Sequence, residues 1–126
     1  MKISLWFVLG AIYGVSSVII GSFGSHAFKA LLIANETESA YHIAKDYLGF
    51  HGLALMVLAM AIERWPQVSM NRPAVLLSAG AFIFSLSLLA FSLTGMRWVV
   101  HIAPVGGAVM IIGWLWLIGL SFRHAR

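Results

Sequence analysis

Four long apolar runs, each free of Asp, Glu, Lys and Arg, constrain this chain more than any other feature. The first extends from Ile3 to Gly24, the second from Tyr47 to Ile62 and the third from Ala74 to Leu93. The fourth runs from Val99 to Phe122, with Pro104 as an alternative start. A bilayer core of about 30 Å is crossed by roughly 20 helical residues. Three of the runs meet that length; the second meets it only if its polar approach is helical too. Short linkers, Glu63–Pro73 and Thr94–Trp98, place the last three spans antiparallel to one another. Composition agrees with this reading. Of 126 residues 61% are hydrophobic and 10% charged, and the 12 glycines raise the apolar share to roughly seven-tenths. Soluble domains sit near ~45–50%, and a small domain buries only about two-thirds of its surface. A soluble enzyme, a nucleic-acid binder and a disordered chain are therefore poor fits. The expected fold is all-α, an integral membrane four-helix bundle forming one domain over residues 1–126.

Eight Lys and Arg against four Asp and Glu give a net charge of +4. No basic patch interleaved with aromatics accompanies it, so the charges read as topology signals, with no nucleic-acid partner implied. Lys2, Arg64, Arg72, Arg123 and Arg126 fall on one side of the membrane. Lys29, Lys45 and Arg97 fall on the other, with Glu36, Glu38 and Asp46. The positive-inside rule then places both termini in the cytoplasm, and a bacterial inner membrane is the expected location. Lys2, the first apolar run and Ser25-His26-Ala27 resemble a secretory signal peptide, but the run exceeds the usual ~7–15 residues of an h-region. It reads as a retained helix. The absence of cysteine excludes disulfides, thiolate metal sites and thioether-linked haem.

Between the first two spans, Asn35-Glu36-Thr37-Glu38 has capping-box spacing. It predicts a helix from Glu36 through Ile62, a juxtamembrane helix extending the second span. Ahead of it Phe28, Lys29, Leu31, Leu32 and Ile33 suggest a short interfacial helix or turn. On the first span Gly10, Gly14, Ser17, Gly21 and Gly24 form one stripe. In lipid, helices associate through close packing at small residues, so this stripe is either a helix-packing face within the bundle or a contact face for a partner protein or second copy. Ser78, Ala81, Ser85 and Ser92 repeat the pattern more weakly on the third span, and Gly106, Gly107 and Gly113 on the fourth.

Four of the five histidines, His26, His42, His51 and His101, fall toward the outer side; His124 lies in the C-terminal tail. Polar groups at membrane depth usually face the bundle interior. His26, His51 and His101, from three helices, are thus candidates for one outer-leaflet crevice binding a ligand, metal or haem. The commoner role is structural, an imidazole anchoring a helix end or a carbonyl freed by proline. Pro104 withdraws a helical donor from the Val100 carbonyl, which His101 or Arg97 would supply unless the helix simply begins at Pro104. Glu38, His42 and Asp46 share a helical face at i, i+4, i+8 and are weak candidate metal ligands; a solvated face of the juxtamembrane helix is the commoner explanation. Met56 and Met60 read as lipid-facing or core-packing side chains rather than thioether ligands, and Trp6, Trp98, Trp114 and Trp116 as interfacial or lipid-facing aromatics. No catalytic residue is assigned, since there is no nucleophile–base pair, phosphate loop or zinc signature. No carboxylate lies well inside a span, which argues against an ion-coupled carrier.

Gly21-Ser22-Phe23-Gly24-Ser25-His26-Ala27 resembles the G-A-F-G-A-H-A motif of the domain-of-unknown-function 423 family, small bacterial inner-membrane proteins and the eukaryotic transmembrane protein 256. Tyr47 and His51 resemble its Y-Q-x-x-H, Ala103-Pro104-Val105-Gly106-Gly107 its T-P-x-G-G, and Gly113-Trp114 its last-helix G-W. Leu48 departs from the family's Gln and Ala103 from its Thr, and Leu86-Ser87-Leu88-Leu89 replaces G-S-L-Y. The resemblance implies a four-span inner-membrane protein with no assigned activity. Pro104, Gly106 and Gly107 stand as structural motif residues.

The expected function is that of a non-enzymatic accessory or structural subunit. It would join a larger membrane complex, a respiratory one being a suitable setting, through small-residue helix faces. The alternative is an outer-face ligand-, metal- or haem-binding protein, and the third a small dimeric transporter. The expected partners are the bilayer and either another protein or a second copy; the sequence names no cofactor.

Overall fold

The computed structural model describes residues 2–125. Its α-helices are α1 (Leu5–Ser25), α2 (Lys29–Asn35), α3 (Glu38–Arg64), α4 (Asn71–Thr94) and α5 (Ala103–His124), and a 3₁₀ helix, Arg97–Ile102, leads into α5. Arg126, counted above among the topology charges, lies outside the described residues. Four helical stretches, α1, α3, α4 and the 3₁₀–α5 unit, are long and apolar enough to cross a membrane. The second begins well before Tyr47, so the juxtamembrane extension and the span form one continuous helix.

α3 lies between α1 and α4, and α5 packs on α4. Two side chains reach from α1 to α4: the Tyr13 hydroxyl donates to the Ser78 carbonyl at 2.6 Å and the Trp6 indole to Asn71 Oδ1 at 2.8 Å. α1 and α5 therefore flank a central α3–α4 pair. The start of α1 sits beside the end of α3, and the α3–α4 loop beside the end of α5, which brings both chain ends to one end of the bundle. α2 and the 3₁₀ helix occupy the other end, called here the far end.

Glycine pairs set the closest helix approaches. A Cβ on Gly10 would lie 2.5 Å from the Gly52 carbonyl oxygen and 2.7 Å from Met56 Cγ. On Gly80 it would lie 2.8 Å from the Gly106 carbonyl oxygen and 2.7 Å from Met110 Cγ. The α1–α3 and α4–α5 crossings thus use one device, a glycine seated on a glycine with a methionine one turn further along. Such contact replaces the hydrophobic force that lipid cannot supply. The rest of the α1 stripe continues along α3. Ser17 Oγ donates to the Lys45 carbonyl at 3.0 Å, Gly21 lies under the Lys45 side chain, and Gly24 lies under the Tyr41 ring. The Tyr41 hydroxyl in turn donates to the Ile20 carbonyl. Gly14 alone has open space where a side chain would be.

Helix ends follow from their residues, with one correction to the sequence reading. Ser4 caps α1, its Oγ accepting from the Trp6 amide at 3.2 Å. Gly95, at φ +74°, closes α4 in the left-handed region that glycine enters without a Cβ clash. The expected capping box does not form: α3 starts at Glu38, and Thr37 precedes it without a side-chain cap. Asn35 instead ends α2, with Glu36 left-handed (φ 57°) and the Thr37 amide bonded back to the Leu32 carbonyl at 3.0 Å. The freed side chains turn to another helix: Asn35 Nδ2 (3.2 Å) and Thr37 Oγ1 (2.8 Å) both donate to the Ser92 carbonyl in the last turn of α4. Carbonyls there lack intrahelical donors, and the buried α4 end has the greater need. At the start of the last span, of the two alternatives the helix beginning at the proline holds, and neither His101 nor Arg97 serves the Val100 carbonyl. The Ala103 amide does, and α5 begins there with Pro104 in its first turn, where a missing N–H breaks no helical bond.

Candidate functional site: an aromatic cleft between α3 and α5

α5 follows α4 closely but stands away from α3, and side chains alone span the gap. The result is a cleft of about 590 Å³, within the usual range for small-molecule sites. From α3 it is lined by Asp46, Tyr47, Phe50 and His51, and from α4 by Phe84. Gly107, Met110, Ile111 and Trp114 form the α5 wall. These residues recur one helical turn apart, which puts each set on one face of its helix.

His51 is the pivot. It is 3% exposed, and both ring nitrogens are engaged. The Trp114 indole N–H lies 3.0 Å from Nε2. Indole is a donor only, so Nε2 accepts and Nδ1 carries the proton. Nδ1 then donates to the Tyr47 carbonyl at 2.9 Å. The imidazole is thereby a neutral strut between α3 and α5, with no lone pair left for a metal. Rings surround it: Phe50 lies 5.9 Å from Trp114 and Tyr47 lies 4.7 Å from Phe84, centroid to centroid. Those pairs are tilted by 51° and 43°, and the Tyr47 ring stacks on His51 at 6.1 Å.

The two glycines of the Pro104-x-Gly106-Gly107 segment do different work. A Cβ on Gly106 would fall 2.5 Å from the Phe84 amide nitrogen and 2.7 Å from the Gly80 carbonyl oxygen, so helix contact demands glycine there. On Gly107 it would meet only Phe84 Cδ1, at 3.9 Å. Packing does not require Gly107; its missing side chain leaves the cleft open.

Of the other sequence candidates Asp46 alone reaches the cleft, and it also lines a shallow hollow with His26 on the α1 side. His26 and His101 are exposed while His51 is buried. Among the described residues no three His, Asp or Glu side chains are grouped to hold a metal, so the expected three-histidine crevice does not form. Glu38 and Asp46 are exposed and His42 half-buried. Asp46 pairs with Lys45 at 3.4 Å, away from any metal-like grouping. Trp114, expected to face lipid, is half-buried against His51, and Met56 packs at the α1–α3 crossing. Phe50, Phe84, Met110 and Ile111 went unnoticed as site residues. Their signal was present: Tyr47, Phe50 and His51 share a face, as do Gly107, Met110, Ile111 and Trp114.

Known proteins place the chain. A family model described as a protein of unknown function, DUF423, matches residues 20–107. A UPF0382 membrane protein of Staphylococcus aureus (bovine strain RF122) is 34% identical over 121 residues, covering 96% of this chain and 98% of that one. A second from Staphylococcus haemolyticus is 34% identical, over 94% of this chain and 96% of its own. A third from Staphylococcus epidermidis (strain RP62A) is 33% identical, over 96% and 98%. No solved structure matches. Of the residues that carry the family resemblance, Tyr47, His51, Gly107 and Trp114 line the cleft, while Gly21–Ala27 lies on the α1 side. On the family match and these near-full-length identities, the chain belongs to the DUF423 family and is a multi-pass membrane protein.

Proposed function

We propose that the protein is a non-enzymatic binding protein of the bacterial cytoplasmic membrane, with both termini in the cytoplasm, that takes a small apolar or amphiphilic molecule into the α3–α5 cleft. The observation that carries this reading is Gly107: a wall position that packing does not require to be glycine, beside a space of ligand size. The polar side chains within the spans support a non-catalytic role. Tyr13, Ser17, Ser78, Ser87 and Ser92 all donate to backbone carbonyls, and His51 is committed to Trp114. Among the described residues Ser85 Oγ is the one buried side-chain polar atom without a partner. Mass spectrometry of protein purified in mild detergent tests the reading. A molecule should accompany the wild type and be lost from Gly107→Leu; equal recovery from both sinks it.

A second reading, an accessory subunit of a larger membrane complex, rests on α1. Four of its five stripe positions are taken up by α3, and Gly14 remains open. Cross-linking in native membranes should then yield a product that Gly14→Leu removes; an unchanged pattern retires this role. The orientation rests on the Lys and Arg count. Because the chain has no cysteine, Gln67→Cys and Met96→Cys each give a single thiol. An impermeant maleimide on spheroplasts should label only the latter; the reverse result inverts the topology.

A further inference from the structure

We infer that the cleft selects a compact lipophilic cation, a molecule with an apolar body and a positive onium or ammonium centre. This rests on the cleft being a binding site, and adds the sign of charge and the size of the molecule it takes. Size follows from helix geometry. The α5 wall from Gly107 to Trp114 is about 10 Å long at 1.5 Å per residue. An acyl chain fills half of a hydrocarbon core about 30 Å thick, so the cleft suits a compact body better than a lipid tail.

Charge follows from the lining. Four aromatic rings, Tyr47, Phe50, Phe84 and Trp114, line the cleft, and an aromatic quadrupole attracts a cation at its face, indole most strongly. The one ionised group on the lining is Asp46, whose side chain is 69% exposed. His51 is neutral, because its Nε2 accepts the Trp114 proton. Lys45 pairs with one Asp46 oxygen at 3.4 Å, but its stem lies across Gly21 on the α1 side, outside the lining. No other acid or base faces the cleft from α4 or α5. An anion would meet aromatic rings and a carboxylate; a cation finds favourable partners in both.

Tetraphenylphosphonium and tetraphenylborate, nearly identical in shape and opposite in charge, separate the possibilities. Each is titrated calorimetrically into the full-length protein in phosphatidylcholine nanodiscs, with empty discs subtracted. Saturable binding of the phosphonium, about tenfold tighter than of the borate, is expected from cation–π and carboxylate contacts. Asp46→Asn should remove most of that preference, and Phe50→Leu, at a ring 61% exposed, should weaken the phosphonium alone. Gly107→Leu should abolish both signals, with circular dichroism confirming that it folds. If both ions bind the wild type equally and Gly107→Leu blocks both, the cation assignment is overturned and the binding cleft stands. If neither binds saturably, the cation assignment falls, and the co-purification experiment above decides the cleft by itself. Borate preferred over phosphonium overturns the inference outright.

Discussion

The two flanks of the bundle start from the same contact and end differently. On the α1 side, the Gly10–Gly52 crossing continues toward the far end through Ser17 on Gly49, Gly21 under Lys45 and Gly24 under Tyr41, so the helices stay in contact and only an open, shallow hollow lies beside them. On the α5 side, the Gly80–Gly106 crossing is as close, yet the residue beside it, Gly107, faces empty space bounded by aromatic rings. The same small residue therefore has two uses in one chain. Glycine permits backbone contact where a neighbour occupies the space, and makes a cavity where large rings hold the neighbour away. Which use applies is decided by the residue opposite.

The largest test of this contrast is at the crossings. Gly52→Leu and Gly106→Leu should each cost about 3 kcal/mol or more, measured by unfolding in mixed micelles, since backbone atoms cannot yield as side chains do. If one side tolerates leucine, the crossings are not equivalent. Next come the two unlike glycines. Gly24→Ala should cost about 1–3 kcal/mol, because its new methyl would run into the Tyr41 ring. Gly107→Ala should be neutral or stabilising by up to about 1 kcal/mol, since alanine is the better helix former. Equal costs at the two positions would break the distinction between seam and cavity.

Smaller effects sharpen it. Trp114→Phe leaves His51 Nε2 without its donor, and a double-mutant cycle with His51→Ala should give a coupling of about 0.6–1.7 kcal/mol. On the α1 side, Tyr41→Phe should lose about 0.6 kcal/mol with its bond to Ile20. The smallest change has the opposite sign. Glu36→Gly should stabilise by about 0.5 kcal/mol, because glycine adopts the left-handed conformation more cheaply than glutamate.

Most of the architecture was legible from spacing alone. A charge-free run of sufficient length has few alternatives to a membrane helix, so four long apolar helices were to be expected and are found among the described residues, though the second begins nine residues before Tyr47. Their partners could not be read in that way. Asn35 and Thr37 have the spacing of a local cap, but a cap competes with every other orphaned carbonyl, and Ser92 is reached only once the helices are assembled. His51 was visible as a polar group at depth, yet its partner, Trp114, lies 63 residues away. Periodicity reports which residues share a face; it does not report which faces meet. For the same reason His26 and His101, at the far end while His51 lies midway along α3, are exposed and do not join it.

The order in which the chain is made gives the His51–Trp114 strut a further consequence. A ribosome delivers α3 long before α5, so in the nascent protein His51 sits at membrane depth with Nε2 unanswered. The wall that supplies its donor, together with Met110, Ile111 and Gly107, arrives with the last span. The cleft is thus a property of the completed chain, absent from every shorter intermediate, and its imidazole marks an unfinished molecule until the final helix inserts.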